Sequence, residues 1–165
     1  MNLSNLAPLF QHYQKFVPTT AIYPDAGKKT TTELMYLFCG LLGEEQEWYD
    51  SVYDIKEAGD VLWYVASICN FFNVSFADYM ILAKPGQPKK PNIHEAMKKY
   101  IRDGKPVRDT LFGYIDSVVS YIYYRYHYGT SMDLEETLKL IIMQNRDKLI
   151  DRQNRDMLKG DGDFR

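Results

Sequence analysis

The chain has 165 residues, enough for about one folded domain, and its 45% hydrophobic and 25% charged content is that of an ordinary globular protein. A net charge of −2 and a pI near 5.9 supply no basic field for holding a nucleic acid polymer, so any phosphate must be met by local groups. The apolar runs, 61–68 among them, stop well short of the ~20 residues a bilayer span needs, and residues 1–10 lack the basic start and long apolar run of a secretory leader, so the expectation is a cytoplasmic protein with no membrane anchor.

The first clear element begins at Thr30-x-x-Glu33, the spacing of a capping box, in which two side chains satisfy free N–H groups at a helix start. Leu34, Leu37, Phe38, Leu41 and Trp48 follow at helical intervals, with Met35, Tyr36, Cys39 and Leu42 on the other faces, which predicts a central helix over 30–50. After a break at 50–53, the recurrence of Glu57, Val61, Tyr64, Ile68 and Phe72 predicts a second helix ending near Asn73. Cys39 and Cys69 lie inside these patterns and are expected to be buried, reduced thiols.

Residues 84–92 carry Pro85, Gly86, Pro88 and Pro91, so an irregular connection is expected there. A short helix over 93–102 follows, then a tyrosine-rich helix over 111–128 with Gly129 as its C-cap, and a last helix from about 133 to beyond 152. Residues 159–165 read as a loop. No window alternates with period two, so the fold class is all-α, with one domain over 1–165. The segments 72–78 and 128–134 resemble each other after aromatic-rich helices, but Val61 and Tyr64 would then correspond to Ser117 and Ser120, and the helix faces disagree.

Two acidic pairs carry the chemistry: Glu44-x-x-Glu47 late in the first long helix and Glu57-x-x-Asp60 early in the second. Residues three apart on a helix project to one side. Many such pairs are solvated acids, yet Glu44 continues the line of Leu37, Leu41 and Trp48, and Glu57 shares the line of Val61, Tyr64 and Ile68. Carboxylates in core positions cost several kcal/mol each unless something positive compensates them. A hard divalent cation, Mg²⁺ with Mn²⁺ as a substitute, is the natural compensation for an all-oxygen donor set. The short link makes the two helices antiparallel neighbours, so the four carboxylates are expected to converge. A di-iron carboxylate bundle would need Glu-x-x-His, and Leu9, Pro91 and Tyr124 stand three residues before His12, His94 and His127. Nor is 26–30 a phosphate-binding P-loop, because Ile22 occupies the place of its first glycine.

At these residues the sequence resembles the MazG-like, all-α NTP pyrophosphatase superfamily, especially its short phage and bacterial members. Gly40-Leu-Leu-Gly-Glu-Glu-Gln-Glu47 is similar to that family's G-L-x-G-E-x-x-E segment, and Glu57-Ala-Gly-Asp-Val-Leu-Trp-Tyr-Val-Ala66 to its E-x-G-D-V-L-W-Y-x-A segment. Asn145-x-x-Lys148-Leu149-x-x-Arg152 resembles an N-x-x-K-L-x-x-R helix, Gly160-Asp-Gly-Asp-Phe-Arg165 a G-D-G-D-x-R ending, and Thr20-Ala-Ile-Tyr-Pro24 a recurrent N-terminal element.

The resemblance implies a bundle of four to six helices in which Glu44, Glu47, Glu57 and Asp60 hold Mg²⁺. It also implies that Asn145, Lys148, Arg152, Asp163 and Arg165 contact a nucleoside triphosphate, and that the chain forms a homodimer or homotetramer. Periodicity permits this for Asn145, Lys148 and Arg152, which prolong the apolar line of Leu138, Ile141 and Ile142. Two features depart from the pattern. Glu45 stands where a small residue is usual, which leaves Glu44 or Glu45 as the ligand, and 84–112 with the tyrosine-rich helix is an insertion relative to the shortest members.

The expected reaction is (d)NTP hydrolysis to (d)NMP and pyrophosphate, with Glu44 or Glu47 orienting the water and Lys148 and Arg152 neutralising phosphate charge. The rival reading is a helical module that binds metal or nucleotide without turnover. The run from Tyr121 to Tyr128 serves either as core packing or as an interaction surface.

Overall fold

The computed structural model describes residues 3–158, and among these there are seven α-helices and no strand. They are α1 (Ala7–Phe16), α2 (Thr31–Asp50), α3 (Ile55–Phe72), α4 (Phe76–Leu82), α5 (Ile93–Asp103), α6 (Arg108–Gly129) and α7 (Leu134–Asn154). The all-α class is therefore the observed one, with α1 and α4 added to the helices read from periodicity. Pro8 lies in the first turn of α1, where its missing N–H costs nothing. Among the described residues, no helix is long and apolar enough to cross a membrane.

The chain divides into two compact units, residues 82–134 and the remainder. In the larger unit α2 and α3 form the central pair. Thr30 caps α2, its hydroxyl accepting from the Glu33 N–H at 3.2 Å, and Asp54 caps α3 by accepting from the Lys56 N–H at 2.8 Å. The link between them turns sharply, with Val52 and Tyr53 in the left-handed region (φ 58° and 70°), and the Tyr53 N–H returns to the Trp48 carbonyl at 2.9 Å. Fully buried Trp48, packed against Tyr53 at 5.1 Å between ring centroids, anchors this turn. Such a tight connection forces α2 and α3 antiparallel.

Two glycines set how closely helices approach. A Cβ on Gly40 would lie 2.1 Å from the Tyr64 ring, and one on Gly59 would lie 2.8 Å from Cβ of Asn145. Gly40 thus lets α3 press Tyr64 onto α2, and Gly59 lets α7 bring Asn145 onto α3. Leu37, Leu41, Val61, Val65, Ile68, Leu138, Ile141 and Ile142 are all fully buried. Gln14 ties α1 to the end of α3 and the start of α4: its amide donates to Asn70 Oδ1 (3.1 Å) and the Val74 carbonyl (2.8 Å) while accepting from the Phe76 N–H (2.9 Å).

The smaller unit holds α5 and α6. Asn92 caps α5 and left-handed Gly104 (φ 64°) ends it. Three local expectations need correction. Gly129 is the last residue of α6 rather than a left-handed cap; Thr130, in extended conformation, follows it. Cys39 is exposed while Cys69 is buried, both free, because the 39 position falls on the outer face of α2. The capping box is only half formed, since the Glu33 carboxylate bonds to the N–H groups of Gly27 and Lys29 instead of that of Thr30.

Candidate active site

Glu57 lies in the first turn of α3 and Asp60 one turn further, where the positive end of the helix dipole favours acids. The α2–α3 turn sets both opposite the last turns of α2, and Glu44 joins them. One carboxylate oxygen from each of Glu44, Glu57 and Asp60 lies within 4.8 Å of the others, and all three residues are half-buried. Glu47 does not belong to this group; it is exposed, turned outward on the last part of α2. Glu45, rather than competing with Glu44, is buried in another direction, where the Tyr49 hydroxyl donates to it at 3.0 Å. One residue along a helix rotates a side chain by about 100°, enough to separate the two environments.

The last helix completes the arrangement. Asn145, 2% exposed, donates through Nδ2 to Asp60 Oδ1 at 2.7 Å, and Lys148 donates to Asp60 Oδ2 at 2.5 Å. The Tyr13 hydroxyl donates to Asn145 Oδ1 at 2.6 Å, so α1 fixes the orientation of the amide. Burial, and then the charge of Asp60, raises the Tyr13 phenol well above its ordinary value. Tyr13 thus donates to Asn145, and Asn145 and Lys148 both donate to Asp60, one to each carboxylate oxygen. Tyr13 had no recognisable signal in the sequence, because the helix that carries it, α1, is not among those read from periodicity.

Glu44 is the strained member. Burial, followed by the neighbouring charges of Asp60 and Glu47, pushes its carboxyl up to about 7, with Glu57 adding to the effect and Lys148 opposing it. Lys148 therefore does not fully offset the acids around it. Three converging carboxylates facing one lysine fit a hard divalent cation such as Mg²⁺ or Mn²⁺, and the group contains no nitrogen or sulfur donor that would favour a softer one. His12, His94 and His127 are exposed.

Two cavities flank Asp60 and Lys148. One, of about 140 Å³, is lined by Glu44 and Asp60 together with Tyr23, Tyr36, Trp63, Tyr64 and Arg152. The other, of about 430 Å³, is lined by Lys56, Gln144, Asn145, Asp147 and Lys148. In the first, Tyr23 stacks on Tyr36 with centroids 4.3 Å apart and planes 16° from parallel, and Trp63 donates its indole N–H to the Thr20 hydroxyl at 3.0 Å. These aromatics come from three separate segments, and periodicity assigns them only to helix faces or to a loop. Arg152 lines this cavity, while Asp163 and Arg165 lie outside the described residues. A cavity of about 360 Å³ beside the 23–29 loop shares Tyr23 with the first.

No protein-family model matches this chain, and neither a curated protein nor a solved structure matches it.

Proposed function

We propose that the chain is a Mg²⁺-dependent nucleoside triphosphate pyrophosphohydrolase of the MazG-like kind, converting a (d)NTP and water to the monophosphate and pyrophosphate. The observation that carries this reading is the meeting of Glu44, Glu57 and Asp60 with Lys148 beside an aromatic-walled cavity. Phosphoanhydride hydrolysis asks the protein for positioning and charge neutralisation more than for covalent chemistry. A divalent cation held by Glu44, Glu57 and Asp60 would polarise phosphate oxygens and lower the pKa of bound water.

The chain's own residues supply the rest. Asn145, clamped between Tyr13 and Asp60, holds the Asp60 carboxylate in one orientation. Lys148 and Arg152 meet phosphate charge, Lys148 exchanging part of its contact with Asp60 for a substrate oxygen. Glu44, or Glu47 at the solvent edge, orients the attacking water. Tyr23, Tyr36 and Tyr64 offer flat faces to a nucleobase.

The test is incubation of the pure protein with each NTP and dNTP in Mg²⁺ and in chelator. Pyrophosphate and monophosphate are expected only with the cation; diphosphate and orthophosphate as primary products would overturn the cleavage position, and no turnover with tight binding would favour a non-catalytic module. The homodimer or homotetramer that the resemblance implies is part of this proposal. Light scattering at micromolar concentration should give a multiple of the chain mass, and a monomer with full activity would refute the assembly.

A further inference from the structure

Glu33, in the first turn of α2, is 4% exposed and takes no part in the acidic group. Its Oε1 accepts from the Gly27 N–H at 2.6 Å and from the Tyr23 hydroxyl at 3.2 Å, and its Oε2 accepts from the Lys29 N–H at 2.6 Å. Donors from one short segment therefore converge on a single buried carboxylate, the kind of charge-assisted bonding that makes such burial tolerable. The segment has no ladder of its own: Asp25, Gly27 and Lys29 all stand in the left-handed region, at φ 62°, 77° and 56°. Turn bonds from the Ala26 N–H to the Tyr23 carbonyl and from the Lys28 N–H to the Asp25 carbonyl shape its middle, and Glu33 is the buried group that ties Tyr23, Gly27 and Lys29 to α2.

The consequence of that shape is the placement of Tyr23. Its ring stacks on Tyr36 and meets Trp63 edge-on with centroids 6.2 Å apart, so it closes the side of the cavity that Glu44 and Asp60 also line. Tyr36 remains 41% exposed, presenting surface beside that cavity. We propose that Glu33 is a positioning residue for substrate binding: acting through Tyr23, it holds the Tyr23–Tyr36 stack as the wall against which the planar ring of the nucleotide packs. The inference rests on the cavity being the nucleotide's site. It assigns binding of the ring to a carboxylate that touches neither metal nor phosphate. A glutamine at 33 keeps the shape but turns one acceptor into a donor, so the Gly27 and Lys29 N–H groups can no longer both be satisfied.

The test compares wild type with Glu33→Gln, Tyr23→Phe, Tyr23→Ala and the double variant Glu33→Gln/Tyr23→Ala. The readouts are kcat and KM for pyrophosphate release, Mn²⁺ affinity, and binding of an α,β-imido nucleoside triphosphate followed by Trp63 fluorescence. Glu33→Gln and Tyr23→Ala should each raise KM and the imido-analogue Kd about 10-fold, the scale of one base–aromatic contact or charge-assisted bond, with kcat and Mn²⁺ affinity unchanged. Tyr23→Phe, which cuts only the hydroxyl contact, should raise them about 3-fold. The double variant should be no worse than Tyr23→Ala, because Glu33 works through that ring.

Unchanged KM and Kd in Glu33→Gln, an equal loss of Mn²⁺ affinity, or additive losses in the double variant would overturn the inference. If Glu33→Gln does not fold, Tyr23→Phe decides, and a wild-type KM and Kd there overturn it. Binding of the imido analogue without pyrophosphate release by wild type sinks the proposed reaction alone, and the wall is then judged on Kd. Absence of nucleotide binding by wild type sinks both.

Discussion

The helix α2 carries two kinds of buried or half-buried glutamate, and they are held in opposite ways. Glu33 at its start is surrounded by hydrogen-bond donors from the 23–29 segment. Glu44 near its end is surrounded by other acids, with Lys148 as the opposing charge, and its carboxyl is driven up to about 7. The first is a satisfied structural charge and the second an unsatisfied one. Burial of a carboxylate therefore does not by itself mark a binding site; what marks it is the absence of enough compensation within the chain.

The largest effect that sharpens this contrast is on catalysis at Glu57. Glu57→Gln should lower pyrophosphate release by at least ~100-fold, the scale on which single electrostatic contributors act. Its metal-free melting temperature should hold or rise as repulsion with Glu44 and Asp60 is relieved. Lost stability with retained turnover would mean that Glu57 is a structural acid of the Glu33 kind.

The second effect runs the other way. Glu33→Ala strips the Gly27 and Lys29 N–H groups of their acceptor and should cost roughly 2 to 3 kcal/mol in urea unfolding, whereas Glu44→Gln should be neutral or stabilising without metal. Equal losses in the two variants would erase the contrast.

A third measurement moves the site without touching an acid. Gly59→Ala places a Cβ 2.8 Å from that of Asn145, so α7 must shift or Asn145 must turn, and the bonds to Asp60 loosen. Overpacking of this sort costs about 1 to 3 kcal/mol. Pyrophosphate release should fall further than stability alone explains, and retained turnover with retained stability would show that the α3–α7 contact yields freely.

The smallest effect is on pH. Between about 4.5 and 7 the folded chain keeps a proton on Glu44 that the unfolded chain has released. Stability without metal should therefore fall as pH rises through that window and level off above it. The difference between wild type and Glu44→Gln in chelator isolates this contribution. A difference that is constant with pH, or that grows toward acid in favour of the variant, would show Glu44 to be as well compensated as Glu33.

The amino-acid sequence by itself determined the all-α class, the places of α2, α3, α5, α6 and α7, and the turn that sets Glu44 opposite Glu57 and Asp60. These follow from local rules: hydrophobic residues at helical spacing, a capping residue at Thr30, and a link too short for anything but antiparallel packing. Helices α1 and α4 were not legible. The first has no capping side chain to mark its start, and α4 has only seven residues, too few to display a period.

Tertiary structure alone decided which acids meet. Periodicity allowed Glu44, Glu45 and Glu47 alike, but their separation depends on the rotation of α2 against α3, and that rotation is set by close contacts such as Gly40 with Tyr64. It also decided that Tyr13 holds Asn145 and that Glu33 bonds the 23–29 segment instead of completing its own capping box. These partners lie on different elements or depend on left-handed backbone at several positions in succession. Such geometry leaves no periodic trace in the sequence, because it arises only when separately formed elements share one space.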